Sequence, residues 1–344
     1  MFSLKEFKEV FDPKLQEFLN KKFSVFTSQT SNPFITDFSN HTKEILAGGK
    51  RLRPYLAYLM YSSLEGNNLD EIWDYLIALE VLHNSLLVHD DFMDKASTRH
   101  NVSTINSFVL EKLKEEQRTG DLKHVAYSQA VLVGDVLVVW AMQLFDKTNP
   151  KTKELFYQMT DEVIMGQMVD IDLTTKESVN DEEINEKILL KSSGYSFIKP
   201  LQVGASLADK DFFDFCRNLG EKLGFAFQMQ DDMLDLTGDP KVLHKSVFTD
   251  IAANQPTFFT NFVFHNGTDE QKEKLREYFG KEVSSNDYET LRNVFTQSGA
   301  FEEGKKLIEE NLSKAQKIVD EGEISIEGKE KFSALINIIG ERKS

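Results

Sequence analysis

Apolar residues recur every three or four positions through most of the 344-residue chain. No sustained alternation of period two appears, so the pattern predicts helices nearly throughout and an all-α fold. At the N-terminus Phe2, Phe7, Phe11, Leu15 and Phe18 fall near helical spacing with charges of both signs between them. That mixture predicts an amphipathic helix of the mature protein, unlike an apolar signal core or an acid-poor transit peptide. Polar interruptions near 27–37, 63–70, 114–124, 146–152, 174–182, 238–247, 265–269 and 283–287 separate the helical blocks. None of them reads as a long interdomain linker, and there is no repeat period or low-complexity tract. One large helical bundle over residues 1–344 is the expected architecture.

Composition narrows the function. With 40% hydrophobic residues the chain can bury a sizeable core, and 56 acidic against 40 basic residues give a net charge of −16. A general nucleic-acid surface or an anionic-membrane surface needs clustered positive charge and is not expected. An anionic substrate must then be met by a few placed cations or by metal. Cys216 is the only cysteine. It can form no internal disulfide, which points to a reducing compartment, the cytoplasm by default. No uninterrupted apolar run approaches the roughly 20 residues that cross a bilayer, so no membrane span is expected.

The sharpest chemical signal is a pair of aspartate clusters. In IWDYLIALEVLHNSLLVHDDFMD (72–94), Ile72, Leu76, Leu79, His83, Leu86, Asp90 and Asp94 step by three or four residues and share one helix face. That face is apolar and then ends in carboxylates, which need a cation when they continue a buried stripe. LGFAFQMQDDMLD (223–235) repeats the design, with Gly224, Phe227, Gln228, Asp231 and Asp235 on one side. Both clusters read Asp-Asp-x-x-Asp. Carboxylates at i and i+4 can share magnesium, which usually takes only one or two protein carboxylates and completes its shell with phosphate oxygens and water. Read singly, either cluster is a solvated charged helix end; read as a pair, they predict a diphosphate site.

Candidate cations accompany them. AGGKRLRP (47–54) joins glycines, three cations and a helix-starting proline, which makes Lys50 and Arg53 candidate diphosphate clamps. The Walker A pattern GxxxxGK[ST] is absent. Arg99 lies five residues beyond Asp94, and Lys191-Ser192-Ser193-Gly194 places a cation and hydroxyls ahead of an apolar helix.

Taken together, GGKRLRP at 48–54, HNSLLVHDDFMD at 83–94 with Arg99, GQMVD at 166–170, KSSG at 191–194 and FQMQDDMLDLTGD at 227–239 resemble the trans-polyprenyl diphosphate synthase family. The match covers roughly residues 40–260 in the family's order and spacing. The resemblance implies long helices around a deep cavity (the isoprenoid synthase fold), a homodimer, and three magnesium ions when diphosphate is bound. It implies that Asp90, Asp94 and Asp231 are the main magnesium ligands and that Asp91, Asp232 and Asp235 support them. Lys50, Arg53, His83 and the residue at 100 would hold isopentenyl diphosphate. Arg99, Lys191, Ser192, Gln228, Lys245 and the residue at 255 would surround the allylic diphosphate.

The chain departs from the family pattern at His100, where an arginine is expected, at Gln255, where a lysine is usual, and at Asn101, commonly glycine. A neutral imidazole offers one donor where a guanidinium offers a charged fork, so weaker isopentenyl diphosphate binding or another second substrate is expected. Large aromatics four or five residues before the first aspartate shorten the product in this family. Here those positions are Leu86 and Ser85, which implies a product longer than fifteen carbons, geranylgeranyl diphosphate first. Trp140 is either a deeper floor of the same channel or an ordinary core residue.

Other classes fit less well. A class I terpene cyclase carries a different second metal motif, and a di-iron bundle needs the Glu80-x-x-His83 pattern on two helices where only one occurs. A regulatory subunit of a heteromeric synthase, suggested by His100 and Gln255, usually loses metal aspartates, and both clusters are intact.

Overall fold

The computed structural model describes residues 1–176, 178–239 and 247–341. The chain divides into two compact units, one formed by Phe2–Tyr58 and Asn67–Asn149, the other by Met1, Leu59–Gly66 and Pro150–Ser344.

The first unit opens with α1 (Leu4–Thr27), whose start is closed by a capping box between Ser3 and Glu6. Its four-residue repeat of Phe7, Phe11, Leu15, Leu19 and Phe23 is buried, each side chain contributing about 1.5–3 kcal/mol. Helix α2 (Pro33–Ala47) begins with a proline in its first turn and an Asn32 cap. The next helix is α3 (Leu52–Ser63). A short 3-10 turn, Leu69–Glu71, leads into α4 (Trp73–Met93).

Helix α4 is buried on nearly every side, and its aspartate-bearing face opens gradually. Ile72, Leu76 and Leu79 are buried, His83, Leu86 and Asp90 are intermediate, and Asp94 is exposed. Past α4, the strands β1 (Thr98–Arg99) and β2 (Val102–Ser103) pair antiparallel with Arg99 opposite Val102. His100 and Asn101 form the turn, both with left-handed backbone, at φ 52° and 63° respectively. Strands of two residues are too short to reveal an alternation, so the sequence pattern does not predict them.

Helices α5 (Ile105–Glu115) and α6 (Leu122–Phe145) complete the unit. α6 runs antiparallel to α4. Tyr75 meets Phe145, Phe92 meets Tyr127, and the His89 ring nitrogen lies 3.1 Å from the Val131 carbonyl. Among the described residues α6 is the one helix long and apolar enough to cross a bilayer. Lys123, His124 and Asp135 interrupt its apolar run, which is why the sequence reading passes over it. It packs on α4 and α5 and buries Ala126, Val133, Leu137, Trp140 and Phe145, while Val125, Leu132 and Val139 stay exposed.

The second unit contains α7 (Pro150–Leu173) and then a composite helix: α8 (Asp181–Lys187), a π-helical stretch π1 (Ile188–Ile198) and α9 (Lys199–Leu207). α10 (Phe213–Thr237) packs against π1. A single turn, α11 (Thr249–Ala252), precedes α12 (Phe258–Asn266), α13 (Asp269–Tyr278), α14 (Tyr288–Gln297), α15 (Ala300–Glu321) and α16 (Ile326–Gly340). Met229, Met233 and Leu236 of α10 join Phe248, Phe259, Phe295 and Ile308 in one apolar core.

Two glycines fix π1 against its neighbours. A Cβ at Gly166 of α7 would fall 2.6 Å from the Lys191 backbone nitrogen, and one at Gly224 of α10 would fall 2.4 Å from the Ser193 hydroxyl. No larger residue permits these approaches, which seat the segment carrying Lys191 and Ser192.

Candidate functional site

In the first unit the candidate residues gather at the upper end of α4. Asp91 is buried at 2% exposure and accepts hydrogen bonds from Arg99 Nε at 3.0 Å and Nη2 at 2.5 Å. Arg99 Nη2 is also 4.0 Å from Asp90. Burial pushes the Asp91 carboxyl up, with the Arg99 charge opposing. The hairpin that carries Arg99 is anchored by His41, whose ring nitrogen lies 2.8 Å from the Ser103 carbonyl. Arg99 therefore already serves the aspartate cluster, and Asp90 and Asp94 remain its outward carboxylates.

Below them lies a positive field. His83 is pushed well below the ordinary imidazole value by burial and then by Arg53, Arg99, His100 and Arg51. It is neutral at pH 7, in surroundings that favour an anion. His100 is likewise lowered, by burial and Arg99, against a hydrogen bond with the Ile45 backbone. Its ring packs on Gly48, where a Cβ would come within 2.4 Å of Nδ1. Lys50 is exposed and Arg53 half-buried. The middle cation of the motif, Arg51, turns inward to Asp12 and Glu80, each at 2.7 Å.

Ser85 is wholly buried, its hydroxyl donating to the Leu82 carbonyl at 2.7 Å, whereas Leu86 keeps partial exposure. Trp140 packs edge-on against Phe23 and Phe26 of α1, with ring centroids 4.9 and 6.1 Å away. Those contacts are those of a core tryptophan.

In the second unit a chain of hydrogen bonds links two helices. Ser192 donates to Gln228 Oε1 at 2.6 Å, and Gln228 Nε2 donates to Asp232 at 2.7 Å. Asp232 is buried and its pKa is pushed up to about 7 by burial, with Lys187 and Gln228 opposing and Asp231 and Asp235 adding to the rise. Asp235 is buried too, and caps α11 by accepting from the Thr249 amide at 3.1 Å, its hydroxyl at 2.7 Å and the Asp250 amide at 3.2 Å. Asp231 is the half-exposed member. Lys191 pairs with Asp170, and Gln255 Nε2 donates to the same carboxylate at 3.3 Å. Lys245 lies outside the described residues.

Three participants escape the sequence reading. Asp170 is quoted there only as the end of GQMVD. Asp250, a fourth carboxyl near the second cluster, is pushed well up by burial and by Asp235 and Asp232. Lys187 sits four residues before Lys191, and that i, i+4 spacing is the signal that could have found it.

The donor set is all oxygen, the chemistry magnesium takes, and the raised carboxyls of the second cluster mark a place where negative charge is disfavoured until a cation arrives. Among the described residues no three His, Cys, Asp or Glu groups converge to hold an ion unaided.

A model of the polyprenyl synthetase family matches residues 36–296. The short chain isoprenyl diphosphate synthase of Methanocaldococcus jannaschii is 27% identical over 281 residues, covering 79% of this chain and 78% of its own. The geranylgeranyl diphosphate synthase of Sulfolobus acidocaldarius is 29% identical over 289 residues, covering 80% and 81%. Among solved structures, the geranylgeranyl pyrophosphate synthase of Corynebacterium glutamicum, complexed with isoprenyl diphosphate and magnesium, superposes with a TM-score of 0.93 at 27% identity, covering 99% of this chain and 100% of that one.

Proposed function

Since the chain belongs to the polyprenyl synthetase family, we propose that it is a trans-prenyltransferase that condenses an allylic diphosphate with isopentenyl diphosphate. Geranylgeranyl diphosphate is the first expected product, and the whole chain acts as one synthase domain. The observation that carries the reading is the division of labour within the two Asp-Asp-x-x-Asp clusters. Asp91, Asp232 and Asp235 are buried and bound within the protein, while Asp90, Asp94 and Asp231 keep their carboxylates partly or fully exposed.

In this reading Asp90, Asp94 and Asp231 would hold magnesium, three ions with diphosphate present, and the metal would supply positive charge to the departing diphosphate. Asp91, fixed by Arg99, and Asp232, fixed by Gln228, orient their neighbours from behind. Lys191 and Ser192 meet the allylic diphosphate, and their positioning follows from the Gly166 and Gly224 contacts. Lys50, Arg53 and His83 hold isopentenyl diphosphate, with neutral His83 offering a hydrogen bond and the surrounding arginines the charge. Once the allylic carbon–oxygen bond breaks, the double bond of isopentenyl diphosphate attacks the cation, and the released diphosphate takes the proton. No side-chain nucleophile is required. The apolar interior excludes water from the cation.

Leu86, which keeps partial exposure, is the position proposed to limit chain length, whereas Ser85 is wholly buried. A homodimer is proposed as the working form, in the cytoplasm. Val125, Leu132 and Val139 of α6 lie seven residues apart at 39%, 56% and 50% exposure, an apolar face of the kind that a second subunit covers.

The test is incubation of purified protein and magnesium with labelled isopentenyl diphosphate and, separately, dimethylallyl, geranyl and farnesyl diphosphates. Extension by five-carbon steps that is lost in Asp90→Ala and on chelation of magnesium supports the reading. Absence of extension from every primer refutes it.

A further inference from the structure

Lys187, the last residue of α8, has no part in any motif, yet its ammonium group reaches the centre of the second unit's polar cluster. Its Nζ lies 3.2 Å from Asp170 Oδ1 and donates to the Pro256 carbonyl at 2.7 Å, with the side chain only 13% exposed. Lys191 binds the other oxygen of the same carboxylate. Asp170 is 3% exposed, and although burial pushes its carboxyl up, Lys187 and Lys191 outweigh that and hold it below the ordinary carboxylate value.

One carboxylate thus faces two ammonium groups. Lys191 already neutralises Asp170, and burying a second lysine at the same place costs solvation that the local pairing does not return. Lys187 thereby stands on the same buried carboxylate as Lys191, the cation that meets the allylic diphosphate in the proposed reading. A second observation points to a missing ligand. Gln255, 9% exposed, donates Nε2 to Asp170, and its buried Oε1 has no hydrogen-bond partner. That oxygen is an acceptor without a donor, a place for a water molecule brought in with the anion.

We propose that Lys187 is a further substrate-positioning cation for the allylic diphosphate, supplying the charge that Gln255, on the same carboxylate, does not carry. The inference rests on the prenyltransferase reading. Its geometry also predicts a rescue. Gln255 and Lys187 converge on Asp170, and Lys187 is held by the residue after Gln255, so a lysine at 255 puts an ammonium group in the same place.

The experiment measures kcat and KM for farnesyl and isopentenyl diphosphates in wild type, Lys187→Met, and Lys187→Met combined with Gln255→Lys. Lys187→Met is expected to raise the allylic KM about tenfold or more, the loss of one charge-assisted hydrogen bond, while the isopentenyl diphosphate KM stays as in wild type. Gln255→Lys is expected to restore most of it. An unchanged allylic KM, or a rise in both constants that Gln255→Lys does not correct, overturns the assignment. If Lys187→Met does not fold, Lys187→Gln and Lys187→Arg decide: equal allylic KM values overturn it, and a raised value confined to the glutamine variant supports it. Wild-type protein that extends no primer would instead sink the prenyltransferase reading and this inference with it.

Discussion

Arg51 offers the most direct test of how the isopentenyl diphosphate loop is held. Its guanidinium is 0% exposed and ties three elements together: Nε to Asp12 of α1, Nη1 to Glu80 of α4, and Nη2 to the Leu46 and Ala47 carbonyls at the end of α2, at 3.1 and 2.9 Å. Its backbone is left-handed at φ 58°, a conformation that the side-chain contacts must sustain. Arg51→Met would leave Glu80, 2% exposed and with Oε2 already unpartnered, buried without its cation. Removing one partner of such a pair costs about 3–5 kcal/mol, and that is the loss expected here. Urea unfolding followed by tryptophan fluorescence suits the measurement, because both tryptophans, Trp73 and Trp140, lie in this unit. Adding Glu80→Met should recover much of the loss, since replacing a whole buried pair by apolar side chains is often neutral. A single variant that loses less than about 1 kcal/mol, or a double variant no more stable than the single, refutes the reasoning. Because the same loop presents Lys50 and Arg53, Arg51→Met should also raise the KM for isopentenyl diphosphate.

Three further outcomes follow from the site. Asp232 is raised to about 7 in the folded protein, above its unfolded value, so its contribution to stability is present at low pH and is lost as pH rises through about 7. Asp232→Asn should therefore raise the melting temperature of metal-free protein at pH 8 relative to pH 6, and a lower relative value at pH 8 would count against the buried-charge account. Leu86→Phe should shift the product to fifteen carbons while Ser85→Phe, having no space to enter, should cost about 1–3 kcal/mol of stability; product analysis and thermal melts separate the two. His100→Arg should lower the KM for isopentenyl diphosphate. In wild type, where His100 sits below the ordinary imidazole value, the same constant should fall only as pH drops below about 6.5, and a constant that stays flat through that lower range speaks against a role for the ring.

Much of this was legible along the chain. The helical period exposed α1 through Phe7, Phe11 and Leu15, and the two aspartate clusters were readable because their chemistry is written in adjacent residues. What the sequence hid depends on approach in space. Asp170 and Gln255 are 85 residues apart, and nothing local marks them as partners. Arg51 and Arg53 look alike in GGKRLRP, yet one turns into the core and the other stays half-buried, a choice made by Asp12 and Glu80 on distant helices. The hairpin at His100 escaped for another reason, since its turn uses left-handed residues that are not glycine.

The π-helical stretch has a consequence for how the chain tolerates changes of length. Between Ile188 and Ile198 the backbone spends more residues per turn than an α-helix, so the composite helix holds surplus residues between two ends with fixed partners. Deleting one residue from an ordinary α-helix rotates all that follows by about 100°. Here a deletion after Gly194 can be taken up partly by tightening the end of π1 towards α-geometry, so α9 turns less than it would behind an ordinary α-helix. The same deletion in α10 has no such slack and would turn one side of its aspartate cluster away.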